Sequence, residues 1–449
     1  MSNLAQVKAE QQKAEEMAQA HVAAYAGTYR PAPAIQAWLG DVQTQMRTHF
    51  SSAGFPTTRP EKWRFTNLAA LGRKSFSAPK PRPVNSSLVG EAKLVKGATT
   101  LVFVDGVLHH ELSELAHLPH GVRVAPLAQS AGLLTSERAA IVAEHNEPLE
   151  ALNAGFLNDG VIIEVEKNAA PQTPIELLYL STGNEEASHT RTFINLGESA
   201  ELTLFETWAG TESAGTNWQN NVSHVTLARN SRCRFVRAQN LPQSDFFTSS
   251  VHSTIARDAT FDAFVANQGG KLARTHFTSH LLEAASHLEI NGFSMTGLGQ
   301  HHNITTTTHH PVANTTANQC VRNVVAGNAQ RGGHAVFLGQ YLVAADALKT
   351  DANMLNQNLL LGEKAKADYK PELEIFADDV KCNHGATTGR LDKDQLFYLQ
   401  QRGLTRLEAK ALLTEAFVAG LIDTIGNEQA QEKLKSQTRN WLKNTEDNN

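Results

Sequence analysis

The sequence is poor in cysteine: Cys233, Cys320 and Cys382 are the only three in 449 residues, and they lie far apart. That number excludes a complete disulfide framework, and the spacing excludes a Cys-x-x-Cys zinc site. Reduced thiols in a cytosol-like, cytoplasmic compartment are expected instead. Strong charge of one sign is also missing. The 40 Lys+Arg stand against 45 Asp+Glu, a formal charge of −5, which supplies no polycationic field for nucleic acid. No apolar run is long enough for a membrane-spanning helix. The opening residues, Met1-Ser-Asn-Leu-Ala-Gln-Val-Lys-Ala-Glu10, have no apolar h-region and carry acid early, so neither a signal nor a transit peptide is expected. Charged residues make up 19%, and Thr, Asn, Ser and Gln fill the deficit. Ordinary domains carry about 25%, so this composition suits a β-rich protein with hydroxyl and amide faces. The length permits large cores without a covalent staple.

Three regions follow from the local pattern. Residues 1–76 read as helical: Lys8 to Ala26 is rich in Ala, Glu, Gln and Lys up to Gly27, and a second helix is expected from Ala34 to Phe50. Residues 77–98 open with Ser77-Ala-Pro-Lys-Pro-Arg-Pro-Val-Asn-Ser86, a proline-rich linker whose composition forbids a helix. From 99 to 391 the hydrophobic period falls to two, as in Leu101-Val-Phe-Val, Val161-Ile-Ile-Glu-Val165, Glu201-Leu-Thr-Leu-Phe-Glu206 and Val222-Ser-His-Val-Thr-Leu227. Turn-plus-strand units begin at Glu198, Asn230, Asp258, Ala284 and Glu363, separated by 32, 28, 26 and 79 residues. The last interval is close to three of about 26, which favours a β-solenoid over an ordinary sandwich. Residues 392–449 return to helix. Asp392-Lys-Asp-Gln395 and Thr405-Arg-Leu-Glu408 are capping signatures, and Gly403 is placed to end the first helix. Leu404, Leu407, Ala411, Val418, Leu421 and Ile425 form one stripe, which either packs on the β core or offers a docking face.

Several chemistries are excluded by motif. Gly327-Asn-Ala-Gln-Arg-Gly332-Gly333 resembles a P-loop but lacks its Lys and Ser/Thr, so no ATPase is expected. No Gly-x-Ser-x-Gly elbow occurs, and no Gly-x-Gly-x-x-Gly opens a helix after a strand. Histidines number 19, but His276 and His280 would stand about 13 Å apart on one strand face, too far to share a metal. His301-His302 and His309-His310 each send one ring to either face of a strand.

The richest segment runs from Lys370 to Gly389. Leu373, Ile375 and Ala377 alternate, then Val380, Cys382 and His384. Cys382 and His384 would face one side about 7 Å apart, as a pair of metal ligands or as a packed thiol beside a hydrogen-bonded imidazole.

With its continuation Arg390-Leu-Asp-Lys-Asp-Gln-Leu-Phe-Tyr-Leu-Gln-Gln-Arg-Gly-Leu404, this segment resembles the signature of the SufB/SufD family of iron–sulfur cluster assembly proteins. Asp351-Ala-Asn-Met-Leu-Asn-Gln-Asn-Leu-Leu-Leu-Gly362 and Arg59-Pro-Glu-Lys-Trp-Arg-Phe-Thr-Asn-Leu68 extend the likeness over nearly the whole chain. The SufB pattern has Cys where this chain has Asn356, and His-Glu-Ala-Thr where it has His384-Gly385-Ala386-Thr387. Both departures resemble the SufD side of the family. The resemblance implies a mainly β fold, a right-handed parallel β-helix core with N- and C-terminal helical regions. It implies no enzymatic activity of its own, and a scaffold role beside SufB and two copies of the ATPase SufC. His384, with Cys382 as a second candidate, would face a nascent iron–sulfur cluster shared with SufB. Leu407, Ala411, Val418 and Leu421 would belong to the SufC-docking helices. A reduced flavin on the complex is also implied, and no ATP is expected on this chain. Two rival readings are a homodimeric scaffold and a secreted-type carbohydrate-active β-helix enzyme. The latter calls for a catalytic cluster on one solenoid face and a secretion signal, neither of which is evident.

Overall fold

The computed structural model describes residues 3–447 apart from 81, 130–134, 145–146 and 212–214, so Pro81 of the expected linker and the last two residues of the tail lie outside it. The helices are α1 (Asn3–Thr28), α2 (Pro33–Ala53), α3 (Ala69–Gly72), α4 (Ser86–Ala92), α5 (Ser136–Ala143), α6 (Pro148–Gly155), α7 (Lys393–Gln401), α8 (Arg406–Ile422) and α9 (Glu428–Asp447). The first strands are β1 (Thr99–Val104), β2 (Val107–Leu108), β3 (Val122–Pro126), β4 (Asp159–Val165), β5 (Ile175–Ser181) and β6 (Ala187–Leu196). The middle ones are β7 (Glu201–Gly210), β8 (Trp218–Leu227), β9 (Arg232–Asn240), β10 (Phe246–Ile255), β11 (Thr260–Asn267), β12 (Leu272–Leu281) and β13 (His287–Thr296). The last are β14 (His301–His310), β15 (Thr316–Val325), β16 (His334–Val343), β17 (Asp351–Leu360), β18 (Lys366–Ile375) and β19 (Lys381–Gly389).

From β4 onward the strands alternate between two sheets, odd-numbered in one and even-numbered in the other, every neighbouring pair parallel. The result is a β-solenoid of about eight turns. Its corners explain the repeat in the sequence. Ser199, Asn230, Asp258, Ala285, Asn314 and Lys349 all have positive φ, and each stands two residues before an odd-numbered strand. Each also donates its N–H to the next corner: Ser199 to the Arg229 carbonyl at 2.9 Å, Asn230 to Arg257 at 2.9 Å, Asn314 to Leu348 at 2.9 Å. Asn and Asp tolerate this left-handed conformation best, and they fill three of the six corners. The 79-residue interval reads differently in the structure. Ala284 lies at the corner before β13 and Glu363 at the corner before β18, in the other sheet. The interval therefore covers two and a half longer turns rather than three short ones.

Inward-facing residues from both sheets form one continuous core, from Leu101 and Phe103 through Phe235, Phe261 and Phe277 to Phe337 and Met354. Within it lies a buried charged pair, Glu206 and Arg237, with Arg237 Nη1 also donating to Ser249 Oγ at 2.6 Å. Helical regions cover the two outer faces. α1 and α2 pack with α6 on the even-numbered sheet, and Tyr25 donates to the Ala187 carbonyl at 2.7 Å. α2 ends at Gly54, whose φ of 75° and closeness to the α1 backbone leave no room for a Cβ, which would stand 2.8 Å from the Ala14 carbonyl carbon. α8 and α9 cover the odd-numbered sheet over Phe205, Val236, Phe264, Phe293 and Val324. Among the described residues, no helix is long and apolar enough to cross a membrane.

Candidate functional site at the open end of the solenoid

The two sheets end together. β18 pairs only with β16, and β19 only with β17, so each leaves one backbone edge unpaired among the described residues. An unpaired edge is a row of donors and acceptors ready for another strand. Pro371 and the lysines at 366, 370 and 381 restrict which strand can take it.

The interior is open at this end too. Tyr369 stacks on Phe337, ring centroids 5.8 Å apart, and Leu373 and Cys382 lean on the same core. Cys382 and His384 stand in register with Ala352 and Met354, both core residues, so both project from the core-facing side of the last rung. Their environments differ. Cys382 is half-buried, and burial, with a smaller contribution from Asp351, pushes its thiol pKa up and keeps it protonated at neutral pH. His384 is exposed and has no hydrogen-bond partner among the described residues. Among those residues, no three of His, Cys, Asp and Glu come together to hold a metal ion. Cys382 and His384 are at most two ligands of a site that needs more.

Asn356 lies one rung inward and is fully buried. Its Nδ2 donates to the Val321 carbonyl at 3.0 Å, and its Oδ1 accepts from Asn358 Nδ2 at 2.8 Å. An amide ladder continuing to Asn323 thus occupies the position where the SufB pattern has its thiol. Gly385 has an ordinary φ, and a Cβ there would meet only the Leu355 side chain at 3.3 Å. A side chain at this position requires the partly exposed Leu355 side chain to shift by a few tenths of an ångström.

The segment Arg59–Leu68 docks the N-terminal region beside this end. Trp63 is buried, donates through Nε1 to Glu147 at 3.0 Å, and lies under the Arg274 guanidinium at 3.9 Å. Glu61 pairs with Lys370 of the terminal strand β18 at 2.7 Å. Thr66 Oγ1 meets His301 Nε2 at 2.9 Å, His301 meets His334 at 3.2 Å, and His334 Nε2 meets Asp368 at 2.6 Å. Burial lowers the pKa of both imidazoles, His301 to about 3, while Asp368 partly opposes the shift at His334. Sequence reasoning could flag the Trp63 motif but not this chain, whose members are up to 302 positions apart and meet only across parallel rungs.

The C-terminal stripe divides. Val418 and Leu421 are buried with Phe264 and Phe293 in the chain's own core, and Ala411 packs partly against the same cluster. Leu407 is 44% exposed, and Leu412, Phe397 and Tyr398 of α8 and α7 are exposed as well. Packing on the β core therefore uses Val418 and Leu421, and surface remains on the first turns of α8 and on α7. The caps form as expected: Asp392 accepts from the N–H of Asp394 at 2.7 Å, and Thr405 and Glu408 cap reciprocally.

A two-sheet parallel solenoid with helices on both faces and one open end defines a β-solenoid protein whose outstanding surface is a strand edge. Family profiles sharpen that class. The SufBD core domain of the SUF iron–sulfur cluster assembly system matches residues 179–417, and the SufBD N-terminal region matches residues 34–177. The chain is 30% identical to the iron–sulfur cluster assembly protein SufD of Escherichia coli, over 85% of this chain and 88% of that one. It is 28% identical to a SufBD family protein of Synechocystis over 86% and 87% of the two chains, and 23% identical to SufD of Bacillus subtilis over 89% and 93%. The chain belongs to the SufB/SufD family of iron–sulfur cluster assembly proteins.

Proposed function

We propose that this chain is the SufD-type scaffold subunit of a SufBCD complex, and that its open end receives SufB. The observation that carries this reading is the coincidence of two unpaired parallel edges with an exposed, unbonded imidazole on the last rung. A homologous solenoid joined there would continue both sheets and cover Tyr369, Leu373 and Cys382. It would also set His384 against thiols of the partner. The cluster is cargo in this reading. His384 supplies one nitrogen ligand, and the missing ligands come from SufB. With Asn356 in place of a thiol, this chain cannot hold a cluster alone. SufC would dock on the exposed apolar surface of α7 and α8 around Leu407, and its ATP-driven movement would reach the shared interface through the solenoid.

The test is co-expression of the chain with SufB and SufC, followed by iron and sulfide analysis of the purified complex. His384→Ala should leave the three-protein complex intact and remove most of the recoverable cluster. Cluster content equal to wild type would overturn the ligand role of His384. A second copy of this chain can also meet the same edges. Sedimentation of the chain with and without SufB distinguishes the two assemblies, and a homodimer that persists in the presence of SufB would overturn the heterodimer reading.

A further inference from the structure

On the outer face of the even-numbered sheet, far from His384 in sequence, two imidazoles stand on adjacent rungs. His280 of β12 and His309 of β14 are in parallel register. Their rings are stacked, centroids 4.3 Å apart and planes within 9°. Both are half-buried, and neither ring has a hydrogen-bond partner among the described residues.

A second pair on the same face shows the contrast. His224 and His252 are also in register and stacked, at 5.3 Å, but their Nε2 atoms are engaged, His224 by Arg191 at 3.1 Å and His252 by Glu150 at 3.0 Å. Those rings serve a buried polar network. The row containing His280 and His309 is Thr254, His280, His309, Leu342. Leu342 offers the pair nothing to bond. His280 also lines a cleft of about 260 Å³ with Glu144, Thr254 and Thr278.

We propose that His280 and His309 form a two-point chelate for a single late first-row divalent ion, in the class of Ni²⁺, Cu²⁺, Co²⁺ and Zn²⁺. Strand spacing of about 4.8 Å places two in-register imidazoles close enough for one ion, provided both rings turn about χ2 until their nitrogens stand about 3 Å apart and about 2.1 Å from the metal. The electrostatics favour the ligating form. Burial lowers the pKa of His309 to about 4, with His280 adding to the shift, and burial also lowers that of His280, with His252 adding and Glu144 opposing. Both imidazoles are neutral at pH 7, so a metal displaces no proton from either. Among the described residues no third protein ligand converges there, and water would fill the remaining positions. The preference should follow Cu²⁺ > Ni²⁺ > Co²⁺, with Mg²⁺ and Ca²⁺ excluded by the nitrogen donors. This site is independent of the strand-edge interface and holds or fails whatever the assembly.

The test uses the untagged full-length chain, titrated with Ni²⁺ alone in a calorimeter, and Cu²⁺-loaded protein in an electron paramagnetic resonance spectrometer. One equivalent of Ni²⁺ should bind, and His280→Ala and His309→Ala should each weaken it by tenfold or more. The double variant, left with neither imidazole, should bind more weakly than either single one. The Cu²⁺ spectrum should show two equatorial nitrogens in the wild type and one in either variant. His384→Ala should bind as the wild type does. Wild-type affinity in either single variant, or no one-equivalent binding by the wild type, would overturn the chelate. The spectrum separates loss of one ligand from global misfolding, since a misfolded chain would scatter Cu²⁺ over its many remaining histidines instead of giving a single one-nitrogen species.

Discussion

Three imidazoles deep in the structure give stability a steep dependence on pH. His21 is 3% exposed and boxed by the rings of Tyr25, Phe50, Phe55, Phe76 and Trp218, with neither ring nitrogen hydrogen-bonded. His302 and His310 are fully buried and point into the solenoid, His310 Nδ1 meeting Thr315 at 2.7 Å. Burial lowers each of the three from 6.5 to about 4, and at His310 the neighbouring His309 adds to the effect. The folded chain therefore binds fewer protons than the unfolded chain below pH 6.5. Stability is full above that value and is lost as pH falls toward the folded pKa. At pH 5.5 each group forfeits RT ln(1 + 10), about 1.4 kcal/mol, so the three together forfeit about 4 kcal/mol relative to pH 7.5. Buried Asp159, Glu176 and Asp245, whose carboxyl pKa values are raised by burial, act in the opposite direction, which is why the comparison stops at pH 5.5. The assay is urea unfolding at pH 7.5, 6.5 and 5.5, read by tryptophan fluorescence and far-ultraviolet circular dichroism. His189, His224, His276, His301 and His309 are lowered by burial as well and add to the loss, so His21→Phe should reduce the total by its own share, about 1.4 kcal/mol, because an uncharged ring fills the same box. A midpoint that does not move between pH 7.5 and 5.5, or an unaltered slope in His21→Phe, would refute the reasoning.

Arg237→Ala should destabilise the chain by about 3–5 kcal/mol, since it strands the Glu206 carboxylate at zero exposure; a urea midpoint within error of wild type would contradict this. Trp63→Ala should cost a comparable amount, about 3–5 kcal/mol, and release the N-terminal region to protease, because it empties a buried indole site under Arg274. Lys370→Met removes only partly exposed ion pairs, to Glu61 and Glu372, and its proteolysis pattern should match the wild type. On the proposed function, Arg322→Met should leave the complex with SufB and SufC assembled while lowering cluster yield per ATP hydrolysed, as measured by sulfide recovery against phosphate release; an unchanged yield would contradict the coupling role.

Much of the fold was legible because a solenoid writes its geometry locally. Each corner needs a residue that accepts positive φ, and each strand alternates, so Asn230 and Asp258 mark their turns without reference to the rest of the chain. The interval from Ala284 to Glu363 misled because corners of both sheets look alike in sequence, and only pairing tells which sheet a strand joins. Helices α5 and α6 interrupt the period-two stretch, and their short runs gave no caps strong enough to stand out from strand signals. The exposed imidazole of the last rung could be placed from alternation alone. Its loneliness could not, because an edge is defined by the strand that does not follow it. The C-terminal stripe posed the opposite difficulty: periodicity showed an apolar face on α8 but not whether the chain itself covers it, and Val418 and Leu421 are covered.

Coupling between the C-terminal helices and the last rung has a short physical route. In stacked parallel rungs each strand touches only its neighbours, so a displacement travels along the ladder one rung at a time. Arg322 of β15 donates through Nη1 to the Phe417 carbonyl of α8 at 2.6 Å, with its guanidinium 5.6 Å from the Phe417 ring. Its Nε donates to Gln357 of β17 at 2.9 Å. Gln357 is in register with Thr387 of β19, the strand that carries His384. One planar side chain with several fixed donors thus ties a helix on the outer face to the penultimate rung of the sheet. An arginine suits that task because its fork holds both partners at set angles, whereas a lysine would make a single swivelling contact. On the proposed function, a partner that shifts α8 acts on β17 directly and on the interface strand through a single ladder of backbone bonds. Replacing Arg322 removes the side-chain link and leaves the ladder. Assembly and coupling should therefore separate at this residue, whereas at His384 assembly should separate from ligation.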